Sequence, residues 1–182
     1  MRVRRARAAG IFRAGEKPAP RDKESNMETT LIILKPDAVQ RGLMGQILTR
    51  FENKGLQVVG CKLMQISQQL AATHYEAHKE RSFYAGLVKF MTSSPVLVLA
   101  IKGNGAITIA RNMMGATFGS KANPGTIRGD FGVSNSFNLI HGSDSPEAAE
   151  RELKLFFGAG EVLNWSRNGD AWVYDMSGGK AE

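Results

Sequence analysis

The chain has a single cysteine, Cys61, among 182 residues. That scarcity excludes an internal disulfide framework and any Cys-rich zinc site, and it fits a reducing compartment. Cys61 stands in an apolar, strand-like run and reads as core. Long hydrophobic runs are missing too. The best of them, Val96 to Ile101, is strand length and far from the ~20 residues of a membrane span, so a soluble, cytoplasmic protein is expected. No internal repeat is present. Net positive charge is scarce outside one segment: of the net +7, residues 1–26 hold +5 and the remaining 156 only +2. A nucleic-acid surface is therefore not implied for the body of the chain, and any such binding is expected to be weak and through this tail.

What is present suits one domain, with 42% hydrophobic residues to build a core. Residues 1–26 lack a sustained apolar period and read as a disordered basic extension, with Met27 favoured as the natural start over a targeting segment or an anion-binding patch. From Thr29 the pattern is regular. Leu31 to Leu34 reads as a central strand ended by Pro36. Leu43, Ile47, Leu48 and Phe51 mark a helix stopped by Gly55. A second strand spans Leu56 to Ile66. Ser67 caps a helix reaching about Lys79, and a short helix carries Phe83, Leu87, Val88 and Met91. A strand over Val96 to Ile101 and a helix over Ala106 to Met114 lead into a Gly- and Pro-rich loop, Gly115 to Asp130, long enough to suggest function. A fourth strand, Val133 to Ile140, delivers His141, and Ser145-Pro146 starts the next helix. The order predicts an α/β (α+β) ferredoxin-like βαββαβ sandwich: an antiparallel four-stranded sheet, extra helices and a C-terminal extension, Gly158 to Asp175. That extension, with Trp165 and Trp172, is expected to pack on the body or on a neighbouring subunit, and residues 176–182 to fray.

The chemistry gathers around Asn138-Leu-Ile-His141-Gly-Ser143-Asp144-Ser145, which sets a histidine at a strand-to-helix turn. In the following helix Ala149, Leu153, Phe156 and Phe157 face inward, and Glu152 falls on the edge of that face. A buried carboxylate needs a partner, and His141 or Ser143 is in place to supply it. Lys35, Arg111 and Arg128 end or punctuate elements near the loop hydroxyls Thr117 and Thr126, a set that resembles a polyphosphate clamp. Gly115 to Lys121 imitates a P-loop without its spacing. His74 and His78, at i and i+4, could hold zinc, but no third ligand is evident. Asn138 and His141 lie three residues apart and would face opposite sides of a regular strand. A bend is therefore expected near His141, with Gly142 placed to tolerate it.

With Lys35-Pro36-Asp37, Pro124-Gly-Thr-Ile-Arg128-Gly-Asp130-Phe131 and Asn138 through Ser145 in that order, the chain resembles nucleoside diphosphate kinases over about Met27 to Asp175. The resemblance implies transfer of the γ-phosphate of ATP to nucleoside diphosphates by a ping-pong mechanism, through a phosphohistidine on His141, that maintains NTP and dNTP pools. It implies that Lys35, Arg111, Thr117, Arg128 and Asn138 hold the phosphates and sugar. Phe83 would stack on the base, Tyr75 would lie near the histidine, and Ser143 and Glu152 would support it. Asp144 would contact Mg2+ through water, the ion arriving with the nucleotide. A homo-oligomer is implied, a hexamer rather than a tetramer. The loop Phe118 to Pro124 departs from the Asn-Pro-Ala-Asp-like run of many members. The alternative is a nucleic-acid-binding or regulatory module with vestigial transfer.

Overall fold

The computed structural model describes residues 27–175 and Ser177; the expected basic extension and all but one residue of the frayed tail lie outside them. Its strands are β1 (Met27–Leu34), β2 (Gln57–Met64), β3 (Val96–Asn104) and β4 (Ile140–Gly142). The helices are α1 (Pro36–Gln40), α2 (Met44–Asn53), α3 (Gln68–His74), α4 (Tyr84–Met91), α5 (Ala106–Met114), α6 (Ile127–Phe131) and α7 (Pro146–Phe156). The sheet runs β2-β3-β1-β4 with every pairing antiparallel, the order a βαββαβ sandwich requires.

β1 is the hub because both its faces are apolar, and Leu31 to Leu34 are fully buried. Ile32 and Leu34 meet Ile47 and Phe51 of α2 and Met114 of α5. Leu31 and Ile33 meet Ala71 of α3, Met91 of α4 and Phe156 of α7. The extra helices thus cover the sheet's second face. Local signals set the ends. Gly55 takes φ +92 just beyond α2. The Ser67 and Ser145 hydroxyls each accept a first-turn amide, from Leu70 and Ala148, at 3.1 Å.

Several expectations need correction. β1 begins at Met27, four residues early, because Glu28 turns its carboxylate to accept the Ile107 amide at the start of α5 (2.8 Å) and costs the strand nothing. Pro36 opens α1, where a missing N–H is harmless. α3 ends at His74, and residues 76–78 form a separate 3-10 turn, since buried Tyr75 leaves helical geometry at φ −101°, ψ 18°. Arg128 sits in a helix and not in a loop, because Thr126 caps α6 by accepting the Gly129 amide. β4 has three residues where eight were expected. The Ser134 hydroxyl takes the Ser136 and Phe137 amides, both at 3.2 Å, and withdraws that stretch from the ladder. Cys61 is exposed, not core: β2 is an edge strand whose register shifts between Val58 and Gly60. The C-terminal extension packs on the body as expected, through Arg167 to the Gly55 carbonyl (2.7 Å), the Leu163 amide to the Val59 carbonyl (2.7 Å) and the half-buried Tyr174, while Trp172 is left 94% exposed.

Candidate active site

The bend expected next to His141 falls at Leu139. The Ile140 amide donates to the Asn138 carbonyl at 2.8 Å across a residue with φ +69°, which makes a positive-φ γ-turn. Such a backbone costs about 1–3 kcal/mol, and the fully buried leucine side chain offsets it at ~1.5–3 kcal/mol. The turn at the end of β1 clamps both sides of Leu139. Its amide donates to Asp37 Oδ2 (3.0 Å), and its carbonyl accepts from the Lys35 amide (2.8 Å). Gly142 is needed for a different reason than the one expected: a Cβ there would come within 2.8 Å of Met114 Sδ and 3.0 Å of Ile32 Cδ1.

Beyond the bend, His141 pairs with Ile33 of β1 and so projects toward α3 and α7. Its Nε2 lies 3.0 Å from Glu152 Oε2, which also accepts the Ser143 hydroxyl at 2.7 Å. Glu152 is 5% exposed. Burial pushes its carboxyl up, but the bond from His141, that ring's charge and the Ser143 bond together outweigh burial and hold it at about 2. An ionised carboxylate can only accept, so Nε2 carries the hydrogen and Nδ1 the lone pair. Among the described residues no hydrogen bond engages Nδ1. His74 stands edge-on to the His141 ring, centroids 4.7 Å apart, with its Nδ1 3.9 Å from Glu152 Oε1. Burial first, and the neighbouring His141 next, depress His74 to about 3, so this ring is neutral. Tyr75 is buried 6.4 Å from His141, centroid to centroid, with its phenol raised by burial and then by Glu152.

Three cations gather on the other side of the bend. Buried Lys35 donates to Asn138 Oδ1 at 2.6 Å. Burial chiefly, then Arg128, lowers its pKa to about 8. Arg128 donates to the carbonyls of Asn138 (3.1 Å), Gly115 (2.9 Å) and Ile140 (2.6 Å), and burial followed by Arg111 brings it to about 10. Arg111 donates to the Gly142 carbonyl at 3.2 Å. Arg128 thus lowers Lys35 and Arg111 lowers Arg128, the mark of a concentrated positive field that an anion would relieve. Asn138 completes the frame by donating to the Thr117 carbonyl at 2.9 Å. Thr117 and Phe83 are exposed, and so is Asp144, three residues past His141. Phe83 lies beside His78 at 5.7 Å between ring centroids. The divergent loop is held by a Ser120 to Asn135 bond of 2.9 Å.

Sequence reasoning named the three cations, the histidine and its carboxylate that the fold brings to this segment. It missed Asp37 as the Leu139 anchor, although Lys35-Pro36-Asp37 had been singled out. It also paired His74 with His78, whereas the fold sets His74 against His141 and Glu152.

Comparison with known proteins agrees with this geometry. The family described as nucleoside diphosphate kinase matches residues 28–162. Nucleoside diphosphate kinase of Synechococcus sp. is 52% identical over 149 residues, covering 82% of this chain and all of the relative. That of Chloroflexus aggregans is 54% identical over 151 residues with the same coverage. Among solved structures, the halophilic nucleoside diphosphate kinase from Halobacterium salinarum in complex with CDP superposes with a TM-score of 0.80 at 49% identity, covering 81% of this chain and 99% of that one.

Proposed function

The chain belongs to the nucleoside diphosphate kinase family, enzymes that move phosphate between nucleoside tri- and diphosphates, and on that premise we propose that His141 Nδ1 is the atom that carries the phosphoryl group. The observation behind this is the bond from Nε2 to Glu152, which leaves the Nδ1 lone pair free. Nδ1 attacks the γ-phosphorus of a bound triphosphate; the Nδ1–P bond forms, the bond from phosphorus to the β,γ-bridging oxygen breaks, and the diphosphate leaves. The ring becomes an imidazolium whose Nε2–H points at an anion, so Glu152 stabilises charge as it develops. A second diphosphate in the same site attacks the phosphorus with its terminal oxygen and regenerates neutral His141. One site serving both halves gives ping-pong kinetics.

Lys35, Arg111 and Arg128 offset the phosphate charge. Arg128 has five N–H donors and spends three on backbone carbonyls, so it holds the wall of the site as well as contributing charge. Asn138 and Thr117 line the approach, and Phe83, half exposed, offers a face on which any base can stack. Tyr75 packs beside His141. Mg2+ arrives as part of the nucleotide substrate. Exposed Asp144 supplies the single carboxylate that suits an ion bound largely by water and phosphate.

We read residues 27–175 as the catalytic unit and place it in the cytoplasm; among the described residues no helix is long and apolar enough to cross a membrane. A hexamer is favoured over a tetramer, with the exposed Leu163, Trp165 and Trp172 of the C-terminal extension as its contacts. The family assignment does not favour the nucleic-acid module. Incubation with γ-labelled ATP tests the reading: wild-type protein acquires acid-labile, base-stable label and His141→Ala acquires none. Full labelling of His141→Ala would overturn it.

A further inference from the structure

His74 is a buried histidine that the transfer reaction leaves unused. Its side chain is 2% exposed, and both ring nitrogens lack a hydrogen-bond partner. Orphaned polar atoms in an interior cost about 1–3 kcal/mol each, and here Nδ1 lies 3.9 Å from Glu152 Oε1 with the His141 ring 4.7 Å away between centroids. One ligand atom from each of the three residues lies within 4.8 Å of the other two. We propose that His74, His141 and Glu152 form a three-ligand site for a zinc-class divalent ion, and that filling it switches phosphotransfer off.

The donor set is two imidazoles and one carboxylate, the set of open zinc sites that keep a fourth position for water. Tetrahedral zinc, with bonds of about 2.0–2.2 Å, places its ligand atoms roughly 3.3 Å apart. The present separations are 3.0 Å from His141 Nε2 to Glu152 Oε2 and 3.9 Å from His74 Nδ1 to Glu152 Oε1, and one atom from each residue lies within 4.8 Å of the others, so side-chain shifts of about 1.5 Å would close the set around an ion. The edge of His141, 23% exposed, gives the way in. Ser143, already bonded to Glu152, orients the carboxylate as an outer partner. Mg2+ prefers oxygen ligands and octahedral geometry, so it does not compete for this pocket.

Inhibition follows from imidazole chemistry and rests on the reading of Nδ1 as nucleophile. A neutral imidazole has one in-plane lone pair. When the ion takes Nε2, the hydrogen that nitrogen held moves to Nδ1, the ring stays neutral, and the lone pair that would attack phosphorus is gone. Glu152, now a ligand, can no longer stabilise the imidazolium.

The test is titration of the nucleotide-free full-length chain with Zn2+ by calorimetry in millimolar Mg2+, alongside nitrogen NMR of its histidines. One zinc per chain is expected, with the proton of His141 moving to Nδ1. His74→Phe, which keeps a ring in place, weakens binding at least tenfold; Glu152→Gln, close in shape to the native side chain, does so by a second route; and His78→Ala leaves it unchanged. Absence of zinc binding, or wild-type affinity in both His74→Phe and Glu152→Gln, would overturn the site. In a single-turnover arm, label on His141 falls in step with zinc occupancy; full labelling of the zinc-loaded enzyme would overturn the inhibition. Failure of zinc-free enzyme to label would instead sink the phosphohistidine reading and leave the binding result standing.

Discussion

The two sides of the Leu139 bend are built on opposite electrostatic plans. On the His141 side, the buried Glu152 carboxylate accepts two hydrogen bonds and His74 is kept neutral, so the one anion is satisfied by donors before any substrate arrives. On the Lys35 side, Arg128 lowers Lys35 and Arg111 lowers Arg128, and among the described residues no carboxylate hydrogen-bonds to any of the three. The first region is complete in itself; the second is complete only around an anion. A nucleophile needs a fixed tautomer and a steady position, which local pairing provides. A polyphosphate site needs unspent positive charge. Under the proposed mechanism, one positive-φ residue in the three-residue step from Asn138 to His141 lets a single segment serve both.

Breaking the cation side should have the largest effect on folding. Arg128→Lys removes a planar fork that satisfies three carbonyls, and an ammonium cannot span them. The Asn138 carbonyl keeps the Ile140 amide, but with the other acceptors short of a donor at about 1–3 kcal/mol each, a loss of about 3 kcal/mol is expected in denaturant unfolding. An unchanged midpoint would show that the cations are interchangeable charges. On the other side, Glu152→Gln keeps an acceptor for Nε2–H and removes the anion. The rate of histidine phosphorylation should fall by about 10²-fold with nucleotide affinity little changed, as read by single-turnover quench. A rise in KM alone would place Glu152 with substrate binding instead.

The smallest effect concerns His74 and sharpens the claim of internal balance. Its folded pKa of about 3 lies below the reference of 6.5. The unfolded chain binds a proton there that the folded chain refuses. The stability from keeping His74 neutral is therefore complete above about pH 6.5 and lost as pH falls toward 3. Glu152, held at about 2 against 4.5, contributes stability present above about pH 4.5 and lost below it. Thermal melts of zinc-free protein should thus decline with pH below about 6.5, and in His74→Phe the part of that decline due to His74 should be absent, leaving the carboxylate limb near 4.5. Identical pH profiles would show that His74 is not a buried neutral base.

Much of this was legible in the sequence because it rests on periodicity. The 3.6-residue repeat of α7 assigns Glu152 to the inward face whatever surrounds it, and a buried carboxylate must find a donor, so its pairing with His141 and Ser143 could be argued without coordinates. The clamp residues were legible as cations at the ends of elements. What was hidden depends on tertiary partners that no local pattern encodes. Leu139 reads as one more apolar strand residue; only Asp37 and Lys35, a hundred residues away, reveal that its amide and carbonyl are held from outside the ladder. His74 was paired with His78 by helical spacing, and α3 ending at His74 dissolves that spacing. Cys61 looks like core in an apolar run until β2 proves to be an edge strand with a shifted register. The period-2 reading of residues 133–140 failed for a local reason, the Ser134 hydroxyl capturing two amides, and the Ser-Asn-Ser composition there was an available warning.

The most direct test of the central claim is to find which atom carries the phosphoryl group. The enzyme is labelled with ATP, freed of nucleotide, and its phosphohistidine examined by phosphorus–nitrogen correlation NMR. Because Glu152 holds Nε2, the account predicts phosphorus bonded to Nδ1 of His141 with Nε2 still protonated. Phosphorus on Nε2, or on a serine or carboxylate, would contradict it.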